Sequence, residues 1–257
     1  MRSSMVIIFS LISVVLCHEK SYINFGGFIC PREEKALGKC LKDALNTYIP
    51  QLAAGIPKLD IPSCEPLLIR SLSVKQTTGP LSVTSSFSDV YVRGPSTMRI
   101  KIIDIHAKDH EIVARLYIPE LRMKGQYTLK GTLLMIPVEA NGDFTSKYRD
   151  INATVTITLG TSKVLNGLDT LSCEKLDVNF QAGQVTMDLE NLFGDDKDLS
   201  KTMNNFVNEN WQSMSGDFQA PIEEALRDFL KPLADHAFAT LIRVSTRGRL
   251  EFSQKLH

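Results

Sequence analysis

The sequence predicts an α+β fold in which a strongly curved antiparallel β-sheet wraps around a long, kinked C-terminal helix. Apolar and polar residues alternate between about residues 81 and 189, as in strands that bury one face. From Leu199 to Leu241 the apolar residues recur at helical steps instead. Each segment has a single apolar face, so we expect the two segments to bury these faces against each other in one domain.

The N-terminus predicts secretion. Residues 5–16 form an apolar run that is shorter than the ~20 residues that span a bilayer. A buried helix is the alternative, but an apolar run at the extreme N-terminus is typical of a signal peptide. Val15 and Cys17 are small enough to flank a cleavage site. We therefore predict a signal peptide at residues 1–17 and a secreted, extracellular single domain at residues 18–257.

A first helix is predicted between Glu33 and Ala54. Its apolar residues recur at steps of three and four and share one face: Leu37, Leu41, Leu45, Tyr48 and Leu52. Gly55 and Pro57 end it.

The strand block predicts long, hairpin-linked strands, which form a strongly twisted sheet. Between the strands we expect turns at these positions: Gly94-Pro95, Lys108-Asp109, Gly125, Asn141-Gly142 and Gly183. Asn141-Gly142 is the strongest hairpin signal of the chain. In the C-terminal helix, Gly216 and Pro221 predict a break or kink at about residues 215–221, because proline removes one helical hydrogen bond.

The composition excludes several classes of partner. The chain has 29 basic and 29 acidic residues, so it lacks the basic excess of a nucleic-acid-binding protein. Beyond the N-terminal run, no stretch is long and apolar enough for integral membrane insertion. We expect a monomer, and the sequence identifies no receptor.

Four cysteines remain after removal of the signal peptide. Cys30 and Cys40 lie close in sequence, so closing their loop costs little entropy, and we predict that they form a disulfide bond. Cys64 and Cys173 either pair across the fold or stay free and buried. The sequon Asn152-Ala153-Thr154 lies on the polar face of its strand, which predicts a glycan on Asn152.

No motif indicates catalysis. The chain has no GxSxG elbow and no phosphate-binding loop. His110-Glu111 begins like a zinc-protease motif, but Ala114 occupies the position of the second histidine. We therefore expect no enzyme activity, no cofactor and no metal site. An esterase is the most remote alternative, because no nucleophile motif supports it.

The excess of apolar residues allows two interpretations. All of it can be core, or part of it can line a cavity where the sheet curls around the helix. Flexible methionines suit adaptable apolar pockets, and several lie on the patterned faces together with aromatic residues: Met123, Met135, Met187, Met203, Met214, Phe206 and Trp211.

Several segments resemble the insect haemolymph juvenile-hormone-binding and takeout-like proteins over nearly the whole mature chain. They are the pair Cys30 and Cys40, GIPKLDIPSCEPL, LYIPELRMKGQYTLKGTLLMIPVEANGDF and LENLFGDDKDLSKTMNNFVNENWQSM. The resemblance implies a tubular, super-roll architecture with an apolar tunnel. It also implies carriage of a lipophilic small molecule, such as a terpenoid hormone, an odorant or a fatty acyl compound. The alternative is a secreted interaction or signalling protein whose core is filled by its own side chains.

The resemblance also nominates Tyr127, since the corresponding tyrosine of hormone-binding members contacts the polar end of the ligand. A core tyrosine with an internal hydrogen bond is the alternative. Around Tyr127 we expect the ligand to contact apolar residues of the patterned faces: Leu116, Ile118, Leu129, Leu133, Met135, Phe206, Trp211 and Phe218. Hormone carriers of this family have a second disulfide that reaches the C-terminal helix, and this helix has no cysteine.

Overall fold

The structure, a computed structural model, describes residues 22–25, 28–57, 62–76, 81–133, 136–163, 169–244 and 250–252. Two helices are present in this part of the chain, α1 (Glu34–Tyr48) and α2 (Lys197–Leu241). The strands are β1 (Tyr22–Phe25), β2 (Phe28–Pro31), β3 (Leu67–Gln76), β4 (Leu81–Arg93), β5 (Arg99–His106), β6 (Glu111–Leu133), β7 (Ile136–Lys163), β8 (Asp169–Leu189), β9 (Ile242–Val244) and β10 (Leu250–Phe252). The predicted signal peptide, residues 1–17, lies outside the described residues.

An antiparallel sheet with the strand order β10-β9-β8-β7-β6-β4-β3 forms the body of the molecule. Strand β6 pairs with β7 along its whole length. On its other side, β6 pairs with β5 through residues 111–117 and with β4 through residues 122–133. The predicted fold class, an α+β fold with a large antiparallel sheet and a long C-terminal helix, is confirmed.

Three strands are much longer than the turn signals predict. They contain 23, 28 and 21 residues in β6, β7 and β8. Gly125, Asn141-Gly142 and Gly183 all lie inside these strands, so the turns predicted there are wrong. The turns predicted at Gly94-Pro95 and Lys108-Asp109 are confirmed, and each contains a short 3-10 helix.

In each of the three long strands, every second residue points inward, but the set of inward residues changes from even to odd numbers or the reverse at one position. These positions, Pro119, Asp150 and Gly183, form one row across the sheet, which we call the reversal row. Its members are opposite one another, because the pairs on either side, Ile118 with Ile151 and Ile151 with Ala182, are in register. Asp150 has a left-handed φ of 51°. On β7 the buried positions are even-numbered before this row and odd-numbered after it. The strands therefore continue, but the pleat changes phase.

Helix α2 covers the free edge of β8 over most of its length. The side-chain amide of Asn208 exchanges two hydrogen bonds with the backbone of Met187, at 2.8 and 2.9 Å, and Asn204 does the same with Leu189. Further along, Glu223 accepts a hydrogen bond from the backbone N–H of Phe180. Side-chain amides thus replace a neighbouring strand and satisfy an edge that is otherwise prone to aggregation.

Helix α2 runs for 45 residues through Pro221 and Pro232, so a break at residues 215–221 is wrong, while the alternative of a kink stays a prediction. Gln219 and Glu223, on either side of Pro221, both hydrogen-bond to Phe180 of β8. These contacts hold the helix against the strand on both sides of the proline.

Helix α1 covers the edge of β5 in the same manner. Asn46 exchanges two hydrogen bonds of 2.8 Å with the backbone of Ile100. A Cβ atom on Gly38 would lie 2.2 Å from the carbonyl oxygen of Ile103, so only glycine permits this approach. The prediction of a helix over residues 33–54 is confirmed as α1 followed by a 3-10 helix, Ile49–Ala53.

Candidate functional site

An apolar surface lies on one side of the reversal row. It extends across residues 112–118 of β6, 151–157 of β7 and 176–182 of β8. Residues that are opposite each other in an antiparallel sheet share one face. Four cross-strand rows on this face contain only apolar residues: Ile112–Ile157–Leu176, Ala114–Val155–Val178, Leu116–Ala153–Phe180 and Ile118–Ile151–Ala182. We call this surface the apolar trough.

Helix α2 supplies a second side of the trough. Its residues Leu226, Leu230, Ala234 and Phe238 pack against a buried cluster formed by Cys173, Leu176 and Val178. These four residues recur at steps of four, which keeps them on one helical face. No ionisable side chain interrupts the four strand rows or this helical stripe. The trough therefore suits an uncharged molecule, since burying an unpaired charge is costly.

The side chains of the trough are incompletely buried. Leu176 and Val178 are buried, but Ile112, Leu116 and Ile118 on the same face remain half-buried. On α2, Leu226, Leu230 and Phe238 are half-buried as well. Apolar area that stays accessible between a sheet and its covering helix is available to a ligand.

Tyr127 lies beyond the reversal row, in a second and denser cluster. Its side chain is 2% exposed and packs with Leu129, Val138 and Phe144. The hydroxyl donates a hydrogen bond of 2.7 Å to the carbonyl oxygen of Glu190. Burial, reinforced by the charges of Asp188 and Glu190, raises the pKa of Tyr127 to about 12. The phenol is therefore neutral at physiological pH and has an internal partner.

Gly142 explains how the phenol reaches Glu190. Tyr127 is opposite Gly142 in the β6–β7 pair. A Cβ atom on Gly142 would lie 2.5 Å from the carbonyl oxygen of Glu190. The missing side chain lets the segment after β8 approach β7, where the Glu190 N–H donates to the Asp143 carbonyl at 3.0 Å. The glycine of the predicted hairpin thus serves a close approach between strands, with no turn at this position.

The predicted ligand-contacting residues fall into several regions. Leu116 and Ile118 lie in the trough, whereas Leu129 belongs to the dense cluster with Tyr127. On α2, Trp211 is half-buried and Phe206 is 38% exposed. The side chains of Leu133 and Phe218 and the whole of Met135 lie outside the described residues. Of the predicted contacts that the structure describes, Leu129 packs in the cluster of Tyr127, whereas Leu116 and Ile118 lie across the reversal row in the trough.

Sequence reasoning missed most of the trough. Ile112, Val155, Ile157 and Leu226 belong to the predicted apolar faces but were not nominated as ligand contacts. Phe238 lies outside the apolar stripe predicted for the helix. Their alternation was visible in the sequence. The register that aligns three strands in rows was not, because it depends on pairing between residues far apart in the chain.

Cys30 and Cys40 form the predicted disulfide, which joins β2 to α1. The pairing of Cys64 with Cys173 does not occur, because both are free thiols. They belong to separate parts of the fold: the Cys64 N–H bonds to Leu52 after α1, and the Cys173 N–H bonds to Asp235 of α2. Burial is the main cause that raises the pKa of each thiol, so both stay protonated at neutral pH and are weak nucleophiles.

Two further features, a metal site and a membrane-spanning helix, are absent from the part of the chain that the structure describes. There, no three His, Cys, Asp or Glu side chains converge as metal ligands would. Neither α1 nor α2 contains an apolar stretch long enough to cross a membrane. Asn152 of the sequon is exposed on β7.

Comparisons with known proteins agree on a family. The family model described as haemolymph juvenile hormone binding protein (JHBP) matches residues 10–241. The circadian clock-controlled protein daywake of Drosophila melanogaster is 25% identical over 210 residues, covering 79% of this chain and 80% of that protein. Its counterpart in Drosophila yakuba is 22% identical over 220 residues, covering 82% and 83%.

Takeout 1 of Epiphyas postvittana, known from a crystal structure, has the same fold. It superposes with a TM-score of 0.69 at 23% sequence identity, covering 79% of this chain and 93% of that one. The curved sheet, the helix that covers its edge and the match over residues 10–241 lead to one conclusion. This chain belongs to the haemolymph juvenile hormone binding protein family.

Proposed function

We propose that this protein is a secreted carrier that holds a small, uncharged lipophilic molecule in the apolar trough. The observation that carries the proposal is the incomplete burial of Leu116, Ile118 and Leu226, which face the inside of the fold and yet remain accessible. Membership of a family named for hormone binding supports the same conclusion. Terpenoid, odorant and fatty acyl compounds all have the required chemistry.

Burial of apolar ligand surface alone supplies enough free energy for binding. Burying about 400 Å² of apolar ligand surface yields about 10 kcal/mol at 25 cal/mol per Å². Association costs at least ~4 kcal/mol in lost freedom. The remainder of about 6 kcal/mol corresponds to a dissociation constant of tens of micromolar, and larger ligands bind more tightly.

A bulky side chain introduced into the trough tests whether the ligand binds there. Ala114 is half-buried in the second row of the trough, and Arg115 follows it on the opposite, exposed face of β6. Ala114→Trp should abolish displacement of a fluorescent apolar probe by lipophilic ligands, while Arg115→Trp should leave it unchanged. Equal titration curves for both variants and the original protein would place the ligand elsewhere.

The same trough bears on the alternative of a secreted interaction protein with a filled core. The dense cluster around Tyr127 fits that alternative, and the half-buried trough does not. Native mass spectrometry of the secreted protein distinguishes the two, because a carrier should retain or exchange an apolar molecule. Absence of any exchangeable molecule would favour the interaction protein.

Secretion and glycosylation belong to this proposal. The N-terminal apolar run and the disulfide support export through an oxidising compartment. The secreted protein should begin at His18 and carry one N-linked glycan on the exposed Asn152. Mass spectrometry before and after glycosidase treatment checks both points, with Asn152→Gln as the control.

Three strands run through both ends of the sheet, which supports one domain over residues 18–257.

A further inference from the structure

A groove of about 580 Å³ crosses the outer face of the sheet beyond the reversal row. Arg93, Arg122 and Lys147 line one side of it and are opposite one another on β4, β6 and β7. Lys124 lies on the other side, two residues from Arg122. The inward-facing neighbours of these residues include Val92 and Met123, so the four cations point away from the core.

This arrangement of charge is unfavourable in the protein alone. Like charges that are directly opposite in a sheet destabilise it. Glu120 forms ion pairs with Arg122 and Arg149. Among the described residues, Arg93, Lys124 and Lys147 form no salt bridge. Lys147 is attracted by the Glu120 carboxylate, but Glu120 also pairs with two arginines, so this area keeps an excess of positive charge. An anionic partner would relieve this repulsion.

An exposed apolar pair adjoins the cations. Leu68 on β3 is opposite Tyr91 on β4, and they are 39% and 41% exposed. Tyr91 is in turn opposite Lys124. Cations beside an exposed aromatic and an aliphatic side chain are typical of proteins that bind the interface of an anionic bilayer.

The small area that the cations occupy favours binding of a lipid headgroup over binding of a long linear polyanion. The cations occupy three neighbouring strands, about 10 Å at 4.8 Å per strand. On β8 the groove continues with Thr186 and Asp188, which offer no positive charge. A polyanion that follows the groove would meet the Asp188 carboxylate, whereas a compact phosphate group need not.

We propose that this face docks on membranes containing anionic phospholipids, with phosphate groups at Arg93, Arg122, Lys124 and Lys147. Leu68 and Tyr91 enter the interfacial layer beside them. The inference goes beyond the carrier function and does not depend on it, because the groove and the trough lie on opposite faces of the sheet.

Vesicle flotation tests the proposal. The full chain should float with vesicles of equal parts phosphatidylcholine and phosphatidylserine, but not with phosphatidylcholine alone. The triple variant R93Q/K124Q/K147Q should bind roughly 100-fold more weakly, from the contribution of each cation near an anionic surface. The triple variant K39Q/K108Q/K201Q removes the same charge from exposed lysines elsewhere and should bind as the original protein does.

Two further measurements separate the alternatives. The variant L68S/Y91S should lose vesicle binding and keep any binding to heparin, since only the bilayer uses the apolar pair. Equal losses in both triple variants would reduce the effect to net charge and overturn the proposal. Binding of heparin or inorganic phosphate without binding of vesicles would overturn it as well. The variant R93Q/K124Q/K147Q should unfold at the same temperature as the original protein and should still exchange the apolar probe for lipophilic ligands. These two results would distinguish this site from the trough.

Discussion

The two ends of the sheet share the strands β6, β7 and β8, yet their interiors differ. Around Tyr127 the end beyond the reversal row is dense, and we call it the dense end. There, β3 and β4 curl over and contribute Ile69, Val83 and Val90 to the same cluster. In the apolar trough, β5 is an edge strand covered by α1, and among the described residues one stripe of α2 packs against the long strands.

The difference shows that alternation of apolar residues does not determine how completely they are buried. A strand needs partners on its inner face. The dense end has them from two strands, from Leu192 in the segment after β8 and from Met203 near the start of α2. The trough has fewer partners, so several of its side chains, including Ile112, Leu116 and Ile118, remain partly accessible. If the trough holds the ligand as proposed, stability and ligand binding depend on different ends of the same strands.

The largest expected effect contrasts two phenylalanines. Phe144 at the dense end is 3% exposed and packs edge-to-face on Phe87 at 5.0 Å. Phe144→Ala should lower the free energy of unfolding by about 3–5 kcal/mol. Phe180→Ala, on a half-buried residue of the trough, should cost clearly less. Urea denaturation measures both, and equal losses would remove the distinction between the ends.

The disulfide should have the next largest effect. It closes a loop with a sequence separation of 10 and ties β2 to the middle of α1. Replacing Cys30 and Cys40 by serine should cost about 2–3 kcal/mol, from the entropy that the unfolded chain regains. Because α1 covers β5 at the trough end, hydrogen exchange should accelerate at Ile103 more than at Val138. Uniform acceleration would show that the two ends do not unfold separately.

Two glycines should respond to alanine in opposite directions. Gly142→Ala places a Cβ atom against the Glu190 carbonyl and should destabilise the dense end by about 1–3 kcal/mol. Gly216→Ala in α2 has open space and should stabilise the protein by about 0.5–1 kcal/mol. Thermal unfolding checks both signs. A neutral Gly142→Ala would mean that the loop after β8 moves freely.

Tyr127→Phe should lower the free energy of unfolding by only about 1 kcal/mol, because it removes one hydrogen bond to Glu190. The raised pKa of Tyr127 favours the folded state below pH 10, and this contribution is lost as the pH rises through about 12. The variant should therefore lose less stability than the original protein between these pH values. Denaturation curves recorded across this range provide the measurement.

The same variant also tests the role that the family resemblance gives to Tyr127. If the trough holds the ligand, Tyr127→Phe leaves the affinity for the apolar probe unchanged. A weaker affinity together with unchanged stability would move the binding site to the dense end.

The sequence predicted an element correctly where the structure of that element depends on residues that are neighbours in the chain. The leucine spacing of α1, the turn at Gly94 and the short loop between Cys30 and Cys40 each depend on neighbouring residues. Asn141-Gly142 shows the limit of this reasoning. The dipeptide favours a hairpin in isolation, but here Gly142 makes room for Glu190 and Tyr127, which are distant in sequence.

The sequence by itself determined the fold class, the first disulfide and the apolar faces, because periodicity and loop length are properties of contiguous residues. Only the tertiary structure decided which apolar residues stay accessible. It made three strands continuous through positions where turns were predicted, left Cys64 and Cys173 apart, and placed Tyr127 in the dense end. The physical reason is that register and covering partners depend on pairings between distant segments, and burial depends on both.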